Sequence, residues 1–263
     1  PQSLKCRFRV AAEARGLRPE FWWPHSGHRS GVAEWSPSGA RHTEVTLDLP
    51  PFGSVFVVFR KADGPLGPQV AETVDPAAEP AALALDGPWQ VSFPEGWGTP
   101  ERTTFPELRS WTESDDPGIR YFSGIATYRK NFELSPEMAA RPRLILELGD
   151  LAEIAEVTLN GEALGLVWLP PQRVEIGAAA RVGTNDLEIR VANLWANRLN
   201  GDSLLPVSER FTRSNLDRMQ FDPTSDSSFR ELPKKGPRPV HTEHPPLMES
   251  GLFGPVRIFA PAG

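Results

Sequence analysis

Asn193, Trp195, Asn197, Arg198 and Asp202 crowd into the short run VANLWANRLNGD, residues 191–202. One flat indole, two amides, a guanidinium and a carboxylate make the mixture a sugar site uses. The C–H face of a pyranose stacks on the ring, and its hydroxyls exchange hydrogen bonds with a few placed polar groups. The same residues suit a purely structural role. The amides would satisfy neighbouring loop backbone, Arg198 would pair with Asp202, and Trp195 would fill the end of a sandwich.

Other residues raise the same choice. Trp111, Tyr121, Phe122 and Trp168 can each be glycan contacts or core, and RSWTE and RYFSG flank a long polar loop. The string GDSL, residues 201–204, matches the nucleophile block of a family of serine esterases, with Ser203 as the attacking hydroxyl. Its context is wrong. That block should follow the first strand of an α/β sheet and be answered by a late D-x-x-H, and no D-x-x-H occurs in this chain. His25 and His28, and His241, Glu243 and His244, are close enough in sequence for a metal, but neither stretch has helical periodicity and His244 precedes two prolines. Carboxylates are plentiful, and nothing in their spacing singles out a glycosidic acid–base pair. The basic run KKGPRP, residues 234–239, is short and broken by proline, which reads as a solvated loop.

The elements that must position these groups are strands. The stretch ahead of Asn193 alternates Leu187, Ile189 and Val191 with Glu188 and Arg190, the period of a half-buried strand. Continued without a break, that face would carry Asn193, Trp195 and Asn197. Similar runs lie at GPWQVSF, SGIATYRKNFEL, PRLILELGD, EVTLNGEALGLVW, QRVEIG and GPVRIFA. Asn160-Gly161 is a strong hairpin signal, since both central positions of a type I′ turn need positive φ. The 28 prolines and 22 glycines punctuate short elements, and the best helical candidate, Val207 to Phe221, is weak. The expected fold is all-β, an antiparallel jelly-roll sandwich over residues 83–263. Residues 1–61 read as the closing strands of a preceding sandwich, with VFVVF at 55–59 buried between layers. Residues 62–82, rich in Pro, Gly, Ala and acids, read as a linker. With 263 residues the chain can bury a core without staples. The single Cys6 excludes an internal disulfide, the net charge of −6 argues against nucleic acid, and no apolar run is long enough for a membrane span.

Several of these blocks together, GPWQVSF, SWTESDDPGIRYFSGIATYRKNFEL, LELGDLAEIAEVTLNGEALGLVWLPPQRVEI, NDLEIRVANLWANRLNGD and SGLFGPVRI, resemble the C-terminal galactose-binding-like sandwich of large bacterial glycoside hydrolases. The resemblance is to family 106, the α-L-rhamnosidase-like enzymes, with kinship to the sugar-binding domain of glycoside hydrolase family 2. It implies a non-catalytic accessory region whose partners are a carbohydrate and an upstream catalytic barrel in the same protein. It also implies an extracellular or periplasmic location. No cofactor is expected, although sandwich domains of this kind often carry a structural calcium, for which Glu113 to Asp116 could supply oxygens. The carbohydrate-contacting candidates are Trp111, Tyr121, Trp168, Asn193, Trp195, Asn197, Arg198 and Asp202. The competing readings are a free-standing carbohydrate-binding protein centred on Trp195 and, further off, an esterase acting through Ser203.

Overall fold

The computed structural model describes residues 2–9, 17–24, 27–39, 41–49, 53–61, 83–212, 219–221, 229–231 and 246–261. The expected linker, His25, the His241–His244 group and the 234–239 run lie outside them. The chain divides into two compact units. One comprises residues 1–80 with 169–171 and 261–263, and the other residues 81–168 with 172–260.

Among the described residues the first unit holds six strands: β1 (Gln2–Arg9), β2 (Arg18–Trp22), β3 (Arg29–Gly31), β4 (Trp35–Pro37), β5 (His42–Leu49) and β6 (Phe56–Arg60). They form two three-stranded sheets, ordered β1-β5-β4 and β3-β2-β6. In β5, Thr43, Val45 and Leu47 turn inward, and Val45 and Leu47 join Phe21 and Val32 in a small core. The opposite face of β5 carries Glu44, which pairs with Arg7 and Lys5 across the strand and accepts from Ser38. The hydrogen bond from Arg7 holds its carboxyl below the usual range. The expectation that residues 55–59 are buried on both faces is not met. As an edge strand, β6 leaves Phe56 61% exposed and its other residues only half-buried.

The second unit is the antiparallel sandwich. Its strands are β7 (Leu83–Ala84), β8 (Trp89–Ser92), β9 (Arg102–Phe105), β10 (Ile125–Leu134), β11 (Ile145–Glu147), β12 (Asp150–Ala152), β13 (Ile154–Leu159), β14 (Glu162–Val167), β15 (Arg173–Glu175), β16 (Gly183–Ala192), β17 (Met219–Phe221), β18 (Phe229–Glu231), β19 (Gly251–Gly254) and β20 (Arg257–Phe259). A six-stranded sheet runs β14-β13-β16-β10-β8-β9, and a four-stranded sheet runs β15-β11-β20-β7. The pairs β12-β19 and β17-β18 complete the set. The seven strand runs visible in the sequence are all present. β7, β9, β12 and β19 are too short to show a period and escape such a reading.

The long pair β10 and β16 sets the register, with Ala126 opposite Val191 and Tyr128 opposite Ile189. Their inward residues meet Leu144, Leu146 and Leu148 of the facing layer in one continuous core. Asn160 and Gly161 close the β13–β14 hairpin at φ 53° and 82°. The Asn160 side chain also donates to Asn185 Oδ1 and the Ala179 carbonyl and accepts from Asp186 N–H, tying the hairpin to β16. Glu147 is buried on β11 between Arg173 of β15 and Arg257 of β20, paired to both in register.

The helices are short: α1 (Pro117–Arg120), α2 (Pro136–Ala139) and α3 (Ala196–Ser203). The weak helical stripe over 207–221 does not form as such. Val207–Glu209 make a single 3-10 turn, and Met219–Phe221 is the strand β17.

At the centre of the core, Trp111 Nε1 donates to the Tyr128 hydroxyl at 2.5 Å, and Leu252 N–H donates to the same oxygen at 3.2 Å. Removing that oxygen in Tyr128→Phe strands two buried donors, at about 1–3 kcal/mol each. Urea denaturation of Tyr128→Phe is therefore expected to show a loss of about 2–6 kcal/mol with an unchanged m-value. Gly251 sits at φ 103°, and a Cβ there would lie 2.5 Å from Trp111 Nε1. Gly251→Ala should cost about 3 kcal/mol or more by the same measurement.

Candidate functional site at the end of the sandwich

The strand leading into the polar run ends at Ala192, and the chain turns at once into α3. Asn197, Arg198 and Asp202 therefore project from a helix rather than from the continuing face of a strand. Arg198 and Asp202 are spaced i, i+4, so they meet along one side of α3. Gly201 is required in the same helix, because a Cβ there would lie 2.6 Å from both Tyr121 Cβ and Arg198 Nη2.

Asn193 and Asn197 converge on one buried hydroxyl, Ser250 Oγ. Asn193 Nδ2 donates to it at 3.0 Å and Asn197 Nδ2 at 2.9 Å, and Ser250 passes its own proton to the Met248 carbonyl at 3.0 Å. Asn193 also donates to the Phe122 carbonyl and accepts from Gly124 N–H. Asn197 donates to the Met248 carbonyl and accepts from Met248 N–H. Ser110 caps the Trp111–Glu113 turn and accepts from Ser250 N–H, while Ser123 Oγ donates to the Leu194 carbonyl and accepts from Arg198 N–H. The amides thus spend their hydrogen-bonding capacity on the backbone of the 122–124 and 248–250 segments.

Arg198 and Asp202 are likewise committed to the fold. Arg198 Nε lies 3.0 Å from Asp202 Oδ1, with both side chains buried, in ion-pair geometry without a linear hydrogen bond. Asp202 accepts from Phe211 N–H and Thr212 N–H, and the Arg198 guanidinium lies 4.5 Å from the centre of the Phe211 ring. Burial lowers the Arg198 pKa, and the Asp202 carboxylate works against that shift. Of the remaining candidates, Trp111 is wholly buried against Phe93 and Phe122 and has no surface to offer a ligand. Core packing claims its ring for the reason given above: its N–H belongs to Tyr128. Phe122 is buried too. Tyr121 is half-buried against α3, and Trp168 is 46% exposed.

Trp195 differs from its polar neighbours. It is 53% exposed, the most open of the eight tryptophans. A half-exposed indole leaves roughly 100 Å² of apolar surface in water, about 2.5 kcal/mol of forgone burial. Its ring centre lies 5.5 Å from that of Trp97, tilted by 53°, and Trp97 in turn stacks on Phe211 at 6.4 Å and 16°. Trp97 and Phe211 escape a reading based on strand period, because both stand in loops. The one available signal is the glycine on each side of Trp97, in EGWGT.

The other chemical candidates resolve into local structure. Ser203 Oγ donates to the Asn200 carbonyl within α3, on an all-β scaffold rather than on the strand-to-helix elbow of an esterase. In the Glu113–Asp116 stretch, Asp116 Oδ1 caps α1 through Gly118 N–H at 2.8 Å. Among the described residues, no group of three or more His, Cys, Asp or Glu side chains could hold a metal. An open groove of about 940 Å³ runs beside Ser110 and Met248, where Glu107, Glu113, Asp150, Glu153 and Glu249 outnumber Arg109.

Residues 121–225 match the family described as glycosyl hydrolase 2 galactose-binding domain-like. A curated protein from Formosa agariphila, carrying the name beta-glucuronidase by inference, is 37% identical over 205 residues, or 73% of this chain and 16% of that protein. The solved structure of a rhamnosidase from Novosphingobium sp. PP1Y superposes with a TM-score of 0.64 at 36% identity. It covers 98% of this chain and 21% of that one. The chain spans about a fifth or less of the length of these relatives.

The polar end of the sandwich makes a stability prediction. Asp202→Ala leaves a buried guanidinium uncompensated and is expected to cost about 3–5 kcal/mol in chemical denaturation. The double replacement Arg198→Leu/Asp202→Leu should cost less than that single change, since a well-packed apolar pair carries no desolvation penalty.

Proposed function

We propose that this chain is a non-catalytic, carbohydrate-binding-like accessory region of a glycoside hydrolase of the α-L-rhamnosidase-like family 106. In this reading the glycosidic bond of a polysaccharide is broken by a catalytic barrel elsewhere in the same protein. The present sandwich braces that barrel and borders its substrate. The observation that carries the proposal is the likeness to a rhamnosidase over 98% of this chain and only 21% of that protein. With 21% of the rhamnosidase matched, about four fifths of it lies outside the matched region, which leaves ample room for the reacting groups.

The chemistry of the sandwich end supports the same reading. General acid–base cleavage of a glycoside needs two carboxyl groups, one of them free to move a proton at the leaving oxygen. Asp202 is buried, accepts two backbone N–H groups and faces Arg198, so its oxygens are committed to the fold and out of reach of a glycosidic oxygen. Among the described residues the Ser203 hydroxyl is hydrogen-bonded to no general base, its proton being given to the Asn200 carbonyl of the same helix. What the fold offers instead is a rigid end, pinned by Ser250, and an open indole. Among the described residues no helix is long and apolar enough to cross a membrane. An extracellular or periplasmic setting belongs to the same proposal.

The purified 263-residue chain should release no p-nitrophenol from p-nitrophenyl α-L-rhamnoside or β-D-glucuronide above the buffer rate. Turnover that co-purifies with the chain and disappears on replacing one of its carboxylates would defeat the accessory reading.

A further inference from the structure

We infer that Trp195, buttressed by Trp97 and Phe211, is a stacking surface for a pyranoside. This rests on the accessory reading for its biological setting, but its evidence is separate. Three rings arrive from three different loops, which strand or helix periodicity would not bring together. Trp97 rides on a turn whose flanking glycines, Gly96 and Gly98, adopt φ 85° and 72°. Gly98 has no room for a side chain, since a Cβ would lie 2.9 Å from the Phe211 ring. Its carbonyl is also packed onto Gly118, where a Cβ would come within 2.0 Å of that oxygen. The turn is therefore wedged between α1 and Phe211.

Phe211 is held from two directions. Asp202 accepts its N–H at 3.2 Å, and the Arg198 guanidinium lies 4.5 Å from its ring centre. The buried pair is a costly way to hold a loop, and its consequence is an aromatic group fixed before any ligand arrives. Preorganisation of this kind removes the ordering cost that weak ligands cannot meet. Trp195 then presents an open indole, 53% exposed, at the edge of the fixed group.

The shape and chemistry of the patch point to its occupant. Trp195 at 53%, Phe211 at 39% and a half-buried Trp97 expose roughly 270 Å². With Leu194 and Leu204, each 49% exposed, the total reaches only about 450 Å². The three rings already offer enough surface for one or two sugar rings, whereas a stable protein partner, at about 800 Å² per side, would have to take in the polar surface around the patch as well. The flat π-faces match the apolar C–H face of a pyranose, and the ring polarity favours C–H groups over hydroxyls.

The test titrates the full chain with methyl α-L-rhamnoside, methyl β-D-galactoside and methyl β-D-glucuronide, following tryptophan fluorescence and heat. At least one glycoside is expected to saturate, with a dissociation constant on the order of 1 mM, as befits a ligand of this size. Trp195→Ala should weaken that binding about tenfold or more while leaving the melting temperature unchanged. Trp97→Ala should do the same, and Trp168→Ala, which removes an exposed indole elsewhere, should have no effect. If Trp97→Ala fails to fold, Trp195→Ala alone decides, because its ring is mostly in water. Absence of saturation by all three glycosides, or binding that survives Trp195→Ala, overturns the inference. So does a sedimentation coefficient that falls in Trp195→Ala, which would make the patch a contact between copies. None of these outcomes bears on hydrolysis, so the accessory reading stands or falls on its own assay.

Discussion

Ser250 Oγ, buried where β16 gives way to α3, is the atom on which the end of the sandwich depends. It accepts from two asparagines and donates to a carbonyl, joining the 193–197 and 248–250 segments, far apart in sequence, around one hydroxyl. Backbone groups buried at the mouth of a sandwich have no ladder to satisfy them, and leaving them unpaired would cost more than any single hydrogen bond returns. Amide side chains suit the task because each carries both donor and acceptor. The polar character of the 193–202 run is thus a consequence of where the strands stop.

From that anchor the rest of the site follows. Asn197 fixes the first turn of α3, the helix places Arg198 and Asp202 side by side, and Asp202 fixes the loop that carries Phe211. Phe211 and the Gly96–Gly98 turn then hold Trp97, which supports Trp195. A residue mix that suggests a ligand site turns out to be layered: polar groups beneath, aromatic rings above, and a single indole open to water. Buried ion pairs rarely add much net stability. Here the pair and its neighbours fix orientation, and the apolar core of the two large sheets supplies the bulk of the favourable burial.

Much of the fold was legible because strands declare themselves locally. Period-two alternation in β10, β13 and β16, and the Asn160-Gly161 turn, depend on residues next to each other in the chain. Edge status is not local, which is why β6 reads as doubly buried and is not. The site was legible in composition and not in arrangement. Trp111 and Trp195 are the same residue type in comparable polar surroundings, yet one is at the centre of the core and the other half in water. What separates them is Tyr128, opposite Ile189 on β16, whose hydroxyl claims the Trp111 N–H.

By itself the sequence determined an all-β antiparallel scaffold, the hairpin at 160–161 and the cluster of polar and aromatic groups after β16, because each arises from short-range periodicity or turn stereochemistry. Only the tertiary structure decided that the cluster's amides and charges face inward, that α3 replaces a continuing strand, and that Trp97 and Phe211 join Trp195. Those outcomes depend on which distant backbone groups lack partners and which rings find space, and both are settled when the sheets close over the core.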